Sequence, residues 1–403
     1  MRIELIYITA GGGHLATARA LTAGLQQRHP EWKVRSTDLF QILDPGNRFQ
    51  RMTGSAPSDF YNSRLARGWT LGMAQELKVF QFGIRLMHER FCAMLAEHWR
   101  LTRPDLVVSL VPNFNRAMFR GLRRADAKAP FVTLLTDFAD CPPHFWIETG
   151  QVQDFICGTE LAAMQAIAAG HAPERVHRTS GMVLHPNFHG KSAFDRRAER
   201  QRHGLDHGRP VGAVFFGGTG SQRMLDIARE LDDTPLVLLC GRNSELAAQL
   251  RRAAARAPRV VVEFTDDVPY YLGLADYFIG KPGPGSLSES IAMGLPSIVL
   301  ANRWTMPQER YNLTWLDQHG VGLSIARVAD LPAAVARMER ELPSYRERVK
   351  SIRNQAVFEV PGVLERIAAR SAEAAAAPVR ASEAAIAGSE LRRLPVAAVQ
   401  RAL

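Results

Sequence analysis

Short apolar runs of four to seven residues recur along this chain and alternate with stretches of helical periodicity. Runs of that length, bounded by Gly, Pro and polar residues, read as strands buried on both faces. The first half predicts strands at 3–8, 34–38, 105–110, 130–135, 154–158 and 176–180. The second half predicts them at 211–216, 235–240, 259–264, 276–280 and 296–300. Alternating strands and helices are the signature of parallel βαβ units, so the fold class is α/β with two successive doubly wound domains. The first is expected over 1–187 and the second over 188–343. The stretch His185-Pro-Asn-Phe-His-Gly190 and the charged residues through Arg202 read as linker and cap. Residues 344–372 read as a charged helix. The remainder, 373–403, is rich in Ala, Arg and Glu without a clear apolar face before Leu391, and is expected to be a weakly ordered tail. Within the first domain, Met73, Leu77, Phe80, Ile84, Met87, Phe91 and Met94 follow one another at alternating spacings of four and three. That stripe predicts an amphipathic helix, packed on the sheet or turned toward a bilayer.

Composition adds few constraints, and charge adds one. The chain has 403 residues, 46% of them hydrophobic and 22% charged, enough for two full cores. Cys92, Cys141, Cys157 and Cys240 are scattered and form no CxxC, which argues against a disulfide framework or zinc site. No apolar run is long enough to span a bilayer, and the N-terminus enters a strand directly without a basic leader. A cytoplasmic protein, at most peripheral on a membrane, is expected. The net charge of +10 is uneven: residues 48–124 hold 13 Arg and Lys against 5 Asp and Glu, interleaved with Phe49, Phe60, Tyr61, Trp69, Phe80, Phe82, Phe91 and Trp99. Anionic lipid headgroups fit that mixture, as does a general arginine enrichment; no nucleic-acid-binding motif accompanies it.

The densest chemistry lies in 262–312. The turn Lys281-Pro-Gly-Pro-Gly-Ser286 follows the apolar run Tyr277-Phe-Ile279 and opens a helix carrying Glu289. A small-residue turn at a helix N-terminus presents unpaired N–H groups and the positive end of the helix dipole, which favours a phosphate or diphosphate. Gly283, Gly285 and Ser286 are therefore candidate phosphate contacts, and Gly217-Gly218-Thr219 is either a companion loop or an ordinary βα turn. Glu289 can accept hydrogen bonds from ribose hydroxyls or serve as a favourable acid near a helix start. Gln308 and Glu309, on the polar loop after the next strand, can read a second sugar. Phosphate, ribose and hexose in that order describe a sugar nucleotide. Arg242 can pair with phosphate or uridine, or simply be solvated. His14 opens a helix after Gly12 and Gly13 and can take a proton near neutrality, or cap the helix. Asp137, ending the run Phe131–Leu135, is the rival base, or an N-cap. No Asp-x-Asp motif is present, and no metal or other cofactor is expected.

Taken together, Gly11-Gly12-Gly13-His14, Thr136-Asp137 with His144 and Trp146, Gly241-Arg242-Asn243 and the 262–312 segment resemble the monogalactosyldiacylglycerol synthases and bacterial diacylglycerol glucosyltransferases. The enzyme that adds N-acetylglucosamine to lipid I is similar too. The resemblance covers roughly 1–368 and implies the GT-B architecture, with the helix of 344–372 crossing back to the first domain. It implies an inverting transfer of a hexose from a UDP-sugar to a lipid hydroxyl, with diacylglycerol as the expected acceptor, at an anionic membrane surface on the inner face of the cell membrane. It moves Arg242 and Asn243 toward the donor, and assigns the backbone of Phe264 and Thr265 to uracil and Gln308 and Glu309 to the hexose. Gly12, Gly13, His144 and Trp146 would face the acceptor, which 47–95 would admit from the bilayer. Departures occur at Gly283-Pro-Gly-Ser286, Val111-Pro-Asn-Phe-Asn115 and Arg303-Trp-Thr-Met306, leaving donor hexose and acceptor open. A soluble natural-product or glycan acceptor, and a UDP-N-acetylglucosamine 2-epimerase on the same fold, are the alternatives.

Overall fold

The computed structural model describes residues 1–9, 12–46, 51, 73–125, 128–190, 194–205, 208–303 and 305–376. Most of the loop 47–70, Gly11, and the tail beyond Ala376 lie outside the described residues. Two six-stranded parallel sheets form the frame. The first comprises β1 (Arg2–Tyr7), β2 (Lys33–Asp38), β3 (Leu106–Ser109), β4 (Phe131–Leu134), β5 (Asp154–Cys157) and β6 (Val176–Arg178), in the order β2-β1-β3-β4-β5-β6. The second comprises β7 (Gly212–Phe215), β8 (Leu236–Leu239), β9 (Arg259–Val262), β10 (Tyr277–Gly280), β11 (Ser297–Leu300) and β12 (Gly322–Ile325), in the order β12-β11-β10-β7-β8-β9. Central strands such as β3, β4, β8 and β11 are buried along their whole length, which is why their sequences are predominantly apolar, with only the small polar Ser109, Thr133 and Ser297 among them. β12 escaped the sequence reading because Gly322-Leu-Ser-Ile325 is a half-exposed edge strand with no sustained apolar run.

In each sheet the strand order reverses at one place, between β1 and β3 and between β7 and β10. A crevice opens there at the carboxyl ends, because successive crossover helices leave for opposite faces. The loops at these two switch points carry Gly12–His14, Val111–Asn113, Gly217-Gly218 and Lys281–Gly285. Topology thus gathers four motifs that are far apart in sequence.

The expected helix over 344–372 is two helices. Leu331–Ser351 packs Val335, Met338, Leu342 and Tyr345 into the second core. After a break at 352–355, Ala356–Ala376 packs Val357, Val360, Leu364 and Ile367 against Ile3, Leu5, Leu21 and Leu25 of the first. The break is where the chain changes domains. Asn354 bridges it, donating to the Met182 carbonyl (2.9 Å) and accepting from Ala356 N (3.1 Å). Val357 approaches the helix Gly13–Arg28 so closely that a Cβ on Gly24 would lie 2.7 Å from its side chain.

The stripe from Met73 is likewise divided. Helices Met73–Leu86 and His88–Thr102 meet at Met87. The second buries Cys92, Leu95 and Trp99, whereas the first leaves Val79, Phe82 and Leu86 between 66% and 76% exposed. Between the domains lies a third apolar region, where Phe138, Ala139 and Met182 meet Leu287, Ile291, Tyr311 and Leu316. The Phe138 ring meets Trp315 edge-on at 5.0 Å.

Candidate functional site

The facing switch points enclose one cleft of about 1240 Å³. That exceeds the usual range for a single small-molecule pocket and leaves room for two substrates.

The second-domain wall is built chiefly from backbone. Gly217 takes φ +83°, and a Cβ on Gly241 would sit 2.3 Å from the Gly218 carbonyl oxygen. The turns after β7 and β8 can therefore touch only because Gly241 lacks a side chain; Arg242 N then donates to Gly218 O at 2.9 Å. Arg242 lays its guanidinium over the Phe264 ring, 3.9 Å from the centroid, making a flat shelf beside Thr265. Asn243 is not on the wall: its side chain accepts from Leu246 N and caps the helix Ser244–Arg252. Thr219 also lies off the wall.

The helix Pro284–Ala292 begins at Gly283 with no side-chain cap, and proline at its first position has no N–H. Gly285 and Ser286 line the cleft, so the open amides of this first turn face it, while Gly283 stands one step back. Buried Asn312 holds the turn by donating to Pro282 O at 2.7 Å. Glu289 lines the cleft one turn further on, and its side chain has no hydrogen-bond or ion-pair partner among the described residues. Burial pushes its carboxyl up to about 7. A carboxylate in that setting lacks the donors it needs, and a pair of sugar hydroxyls would supply them. Gln308 and Glu309 open the helix Pro307–His319, and both line the cleft. Glu309 is buried and receives the Lys281 ammonium at 2.7 Å. Lys281 had been read only as the first residue of the turn. Its position at the carboxyl end of β10, a switch-point strand, is the signal that could have singled it out.

The first-domain wall is polar at its centre and apolar beyond. Gly12 (φ +80°) and Gly13 would meet nothing within 4 Å if given a Cβ, so they border open space. His14 follows on the first turn of its helix, its Nδ1 3.0 Å from Thr136 Oγ1. Burial lowers its pKa to about 4, against the opposing pull of the Leu110 carbonyl, so the imidazole is neutral at pH 7. Asp137 is buried and accepts from the Trp146 indole N–H at 2.8 Å. Burial raises its carboxyl to about 7; the Trp146 bond opposes this, Glu309 adds to it, and Lys281 opposes it. The influence of Glu309 and Lys281 on Asp137 shows that the two domains' charged groups confront each other across the cleft.

His144 and Trp146 do not face the acceptor side as expected. His144 is exposed and off the cleft wall, and Trp146 is buried behind it, its ring centroid 5.9 Å from that of His14. The cause is Asp140, whose carboxylate accepts from the amides of His144, Trp146 and Ile147 and folds the loop back on itself. The apolar end of the cleft is lined instead by Ile8, Phe40, Leu77, Val79, Phe80 and Phe114. Phe80 and Phe114 meet at 5.9 Å, and Gln81 donates to Asn113 at 2.9 Å, tying the helix Met73–Leu86 to the loop after β3.

Residues 213–357 match the model of the glycosyltransferase family 28 C-terminal domain. The chain is 25% identical over 391 residues to the monogalactosyldiacylglycerol synthase of Spinacia oleracea, covering 89% of this chain and 71% of that one. It is 26% identical over 343 residues to monogalactosyldiacylglycerol synthase 1 of Arabidopsis thaliana, covering 80% and 61%. Among solved structures, the glycosyltransferase VinC in complex with dTDP superimposes with a TM-score of 0.56 at 15% identity, over 92% of this chain and all of the other. MurG of Acinetobacter baumannii does so with a TM-score of 0.52 at 13% identity, over 91% and 99%. The chain therefore has the GT-B architecture, matches the glycosyltransferase family 28 C-terminal domain over 213–357, and resembles the monogalactosyldiacylglycerol synthases along most of its length.

Proposed function

We propose that this protein transfers a hexose from a UDP-sugar to a lipid hydroxyl, diacylglycerol being the acceptor, with inversion at the anomeric carbon. The observation that carries the reading is the composition of this cleft. An uncapped helix N-terminus and an unpartnered Glu289 stand on one wall, and His14 faces them beside an apolar chamber. In this reading the diphosphate lies on the amides of Gly285 and Ser286, the ribose on Glu289, and the uracil by Phe264, Thr265 and Arg242. Gln308 and Glu309 receive the hexose hydroxyls. The names of the galactolipid synthases support a lipid acceptor, and the chamber walled by Phe40, Phe80 and Phe114 suits its acyl chains.

His14 is the base. Both His14 and Asp137 line the cleft, and the choice of His14 is supported by the Trp146 indole, which already occupies one oxygen of Asp137. Thr136 fixes the orientation of the imidazole, which is unprotonated in the empty site. A bound diphosphate brings negative charge, which favours the imidazolium and so strengthens the base when it is needed. The acceptor oxygen bonds to the anomeric carbon, its proton passes to His14, and the bond to the β-phosphate oxygen breaks with the electron pair leaving on UDP. No covalent enzyme intermediate is required. The exposed Val79, Phe82 and Leu86 dock the protein peripherally on the bilayer that holds the acceptor, aided by exposed Arg85 and Arg90.

The test is UDP release from UDP-glucose, UDP-galactose and UDP-N-acetylglucosamine, each with and without diacylglycerol in anionic vesicles. Release requiring one sugar and the diacylglycerol establishes the activity. UDP binding without diacylglycerol-dependent release redirects it to a soluble acceptor or an epimerase, and absence of UDP binding removes the donor site.

A further inference from the structure

Three cationic side chains, Arg19, Arg242 and Lys281, line the cleft among the described residues. Their placements differ. Arg242 is spread over Phe264 at the shelf beside Thr265, and Arg19 projects from the second turn of the helix that His14 opens. Lys281 alone stands at the second-domain switch point, directly before the turn whose amides are free. Its side chain is 32% exposed, and its ammonium is 2.7 Å from a Glu309 carboxylate that is 7% exposed. Asp137 is near enough to feel both. The Lys281–Glu309 pair and Asp137 thus line the same cleft from its two walls.

We propose that Lys281 is the cation that neutralises the departing nucleoside diphosphate, and that Glu309 holds it in place while the site is empty. The inference rests on the sugar-nucleotide reading above. As the anomeric C–O bond breaks, its electron pair stays on the β-phosphate oxygen and adds a unit of negative charge there. The amides of the helix start offer partial charge worth about half a unit in all. A full positive charge in the same half-desolvated wall matches what the amides leave unbalanced, and it stabilises the transition state more than the ground state because the charge grows during the step. Lys281 moves from Glu309 to the phosphate without losing a proton, and Glu309 is freed to accept from a hexose hydroxyl. A merely structural role is the competing account: Lys281 would stay on Glu309 throughout and only fix its orientation.

Calorimetric titration of UDP and of uridine into the full chain separates these accounts, with kcat measured in parallel. In Lys281→Met, UDP affinity is expected to fall roughly tenfold or more while uridine affinity is unchanged, and kcat to fall about a hundredfold. Lys281→Arg should recover part of both, and Glu309→Gln should bind UDP at least as tightly as the parent protein while transferring sugar more slowly. Retained uridine binding certifies that a variant is folded; should Lys281→Met fail this check, Lys281→Gln takes its place. Unchanged UDP affinity with reduced kcat in the lysine variants would mean that Lys281 only positions Glu309, and overturns the proposal. If the parent protein binds uridine and UDP with equal affinity, Lys281 has no diphosphate to meet, and the proposal fails while the nucleoside site stands. If it binds neither, the sugar-nucleotide reading itself falls.

Discussion

The two walls of the cleft occupy equivalent positions on their sheets, yet they are made of different material. The second-domain wall relies on backbone: glycine turns pressed together at Gly218 and Gly241, and a helix N-terminus left open at Gly285 and Ser286. Among its charged side chains Lys281 is held on Glu309, while the Glu289 carboxyl has no partner among the described residues. The first-domain wall centres its polar groups on His14, Thr136 and Asp137, with Arg19 and Asn113 also on it, and becomes mainly aromatic and aliphatic out to the exposed face of the helix Met73–Leu86. A diphosphate is small, invariant and charged, so fixed dipoles suit it. An acyl chain is long and offers no directional groups, so only apolar area can hold it. Under the proposed function the same crevice geometry would serve two ligands, because side chains, and not topology, decide the chemistry of each side.

The largest effect expected of a single change falls at the junction of the walls. His14→Ala should lower kcat by roughly a thousandfold while leaving UDP affinity within about twofold, since general-base loss does not touch the donor wall. Comparable kcat in this variant and the parent would move the base elsewhere. Next comes the apolar extreme. Replacing Val79, Phe82 and Leu86 together by Ser should weaken partition onto anionic vesicles by about tenfold or more, given roughly 1.5–3 kcal/mol for each fully buried aliphatic or aromatic side chain. UDP binding in solution should not change, and a loss of both would show that the two walls are coupled.

On the backbone wall, Glu289→Gln should reduce UDP affinity by about tenfold. The pH dependence sharpens this. With its carboxyl near 7, Glu289 becomes a full acceptor only as pH rises, so parent affinity should increase from pH 6 to 8, and the variant should be flat over that range. The smallest effect is one of stability. Asp137 folds with its carboxyl at about 7 against an ordinary 3.8, so the folded state keeps a proton that the unfolded chain releases. Stability linked to this group is complete below about pH 4 and declines as pH rises through 7. Asp137→Asn has no such decline, and its melting temperature relative to the parent should climb by a few degrees between pH 5 and pH 8.

Much of this was readable in advance for a physical reason. Strands buried on both faces are predominantly apolar, so the strands from Val107 and Val132 to Leu238 and Ile298 announce themselves, and edge strand β12 does not. The glycine turns of the cleft were legible because close backbone approach demands glycine, which stands out in any sequence. Asn243, His144 and Trp146 were not, since an Asn can cap a helix or touch a ligand, and a Trp can line a pocket or stand behind it, with the same letters on either side.

By itself, then, the sequence determined two doubly wound sheets, the glycine turns at their carboxyl edges and the acidic and basic residues available beside them, because local geometry and burial constrain residue type directly. Tertiary structure alone decided which of those residues share one cleft. It set Trp146 against Asp137, turned His144 outward, joined Lys281 to Glu309 and divided the long helices at Met87 and 352–355. Each of these outcomes depends on the distance between elements remote in the chain, and no local pattern carries that distance.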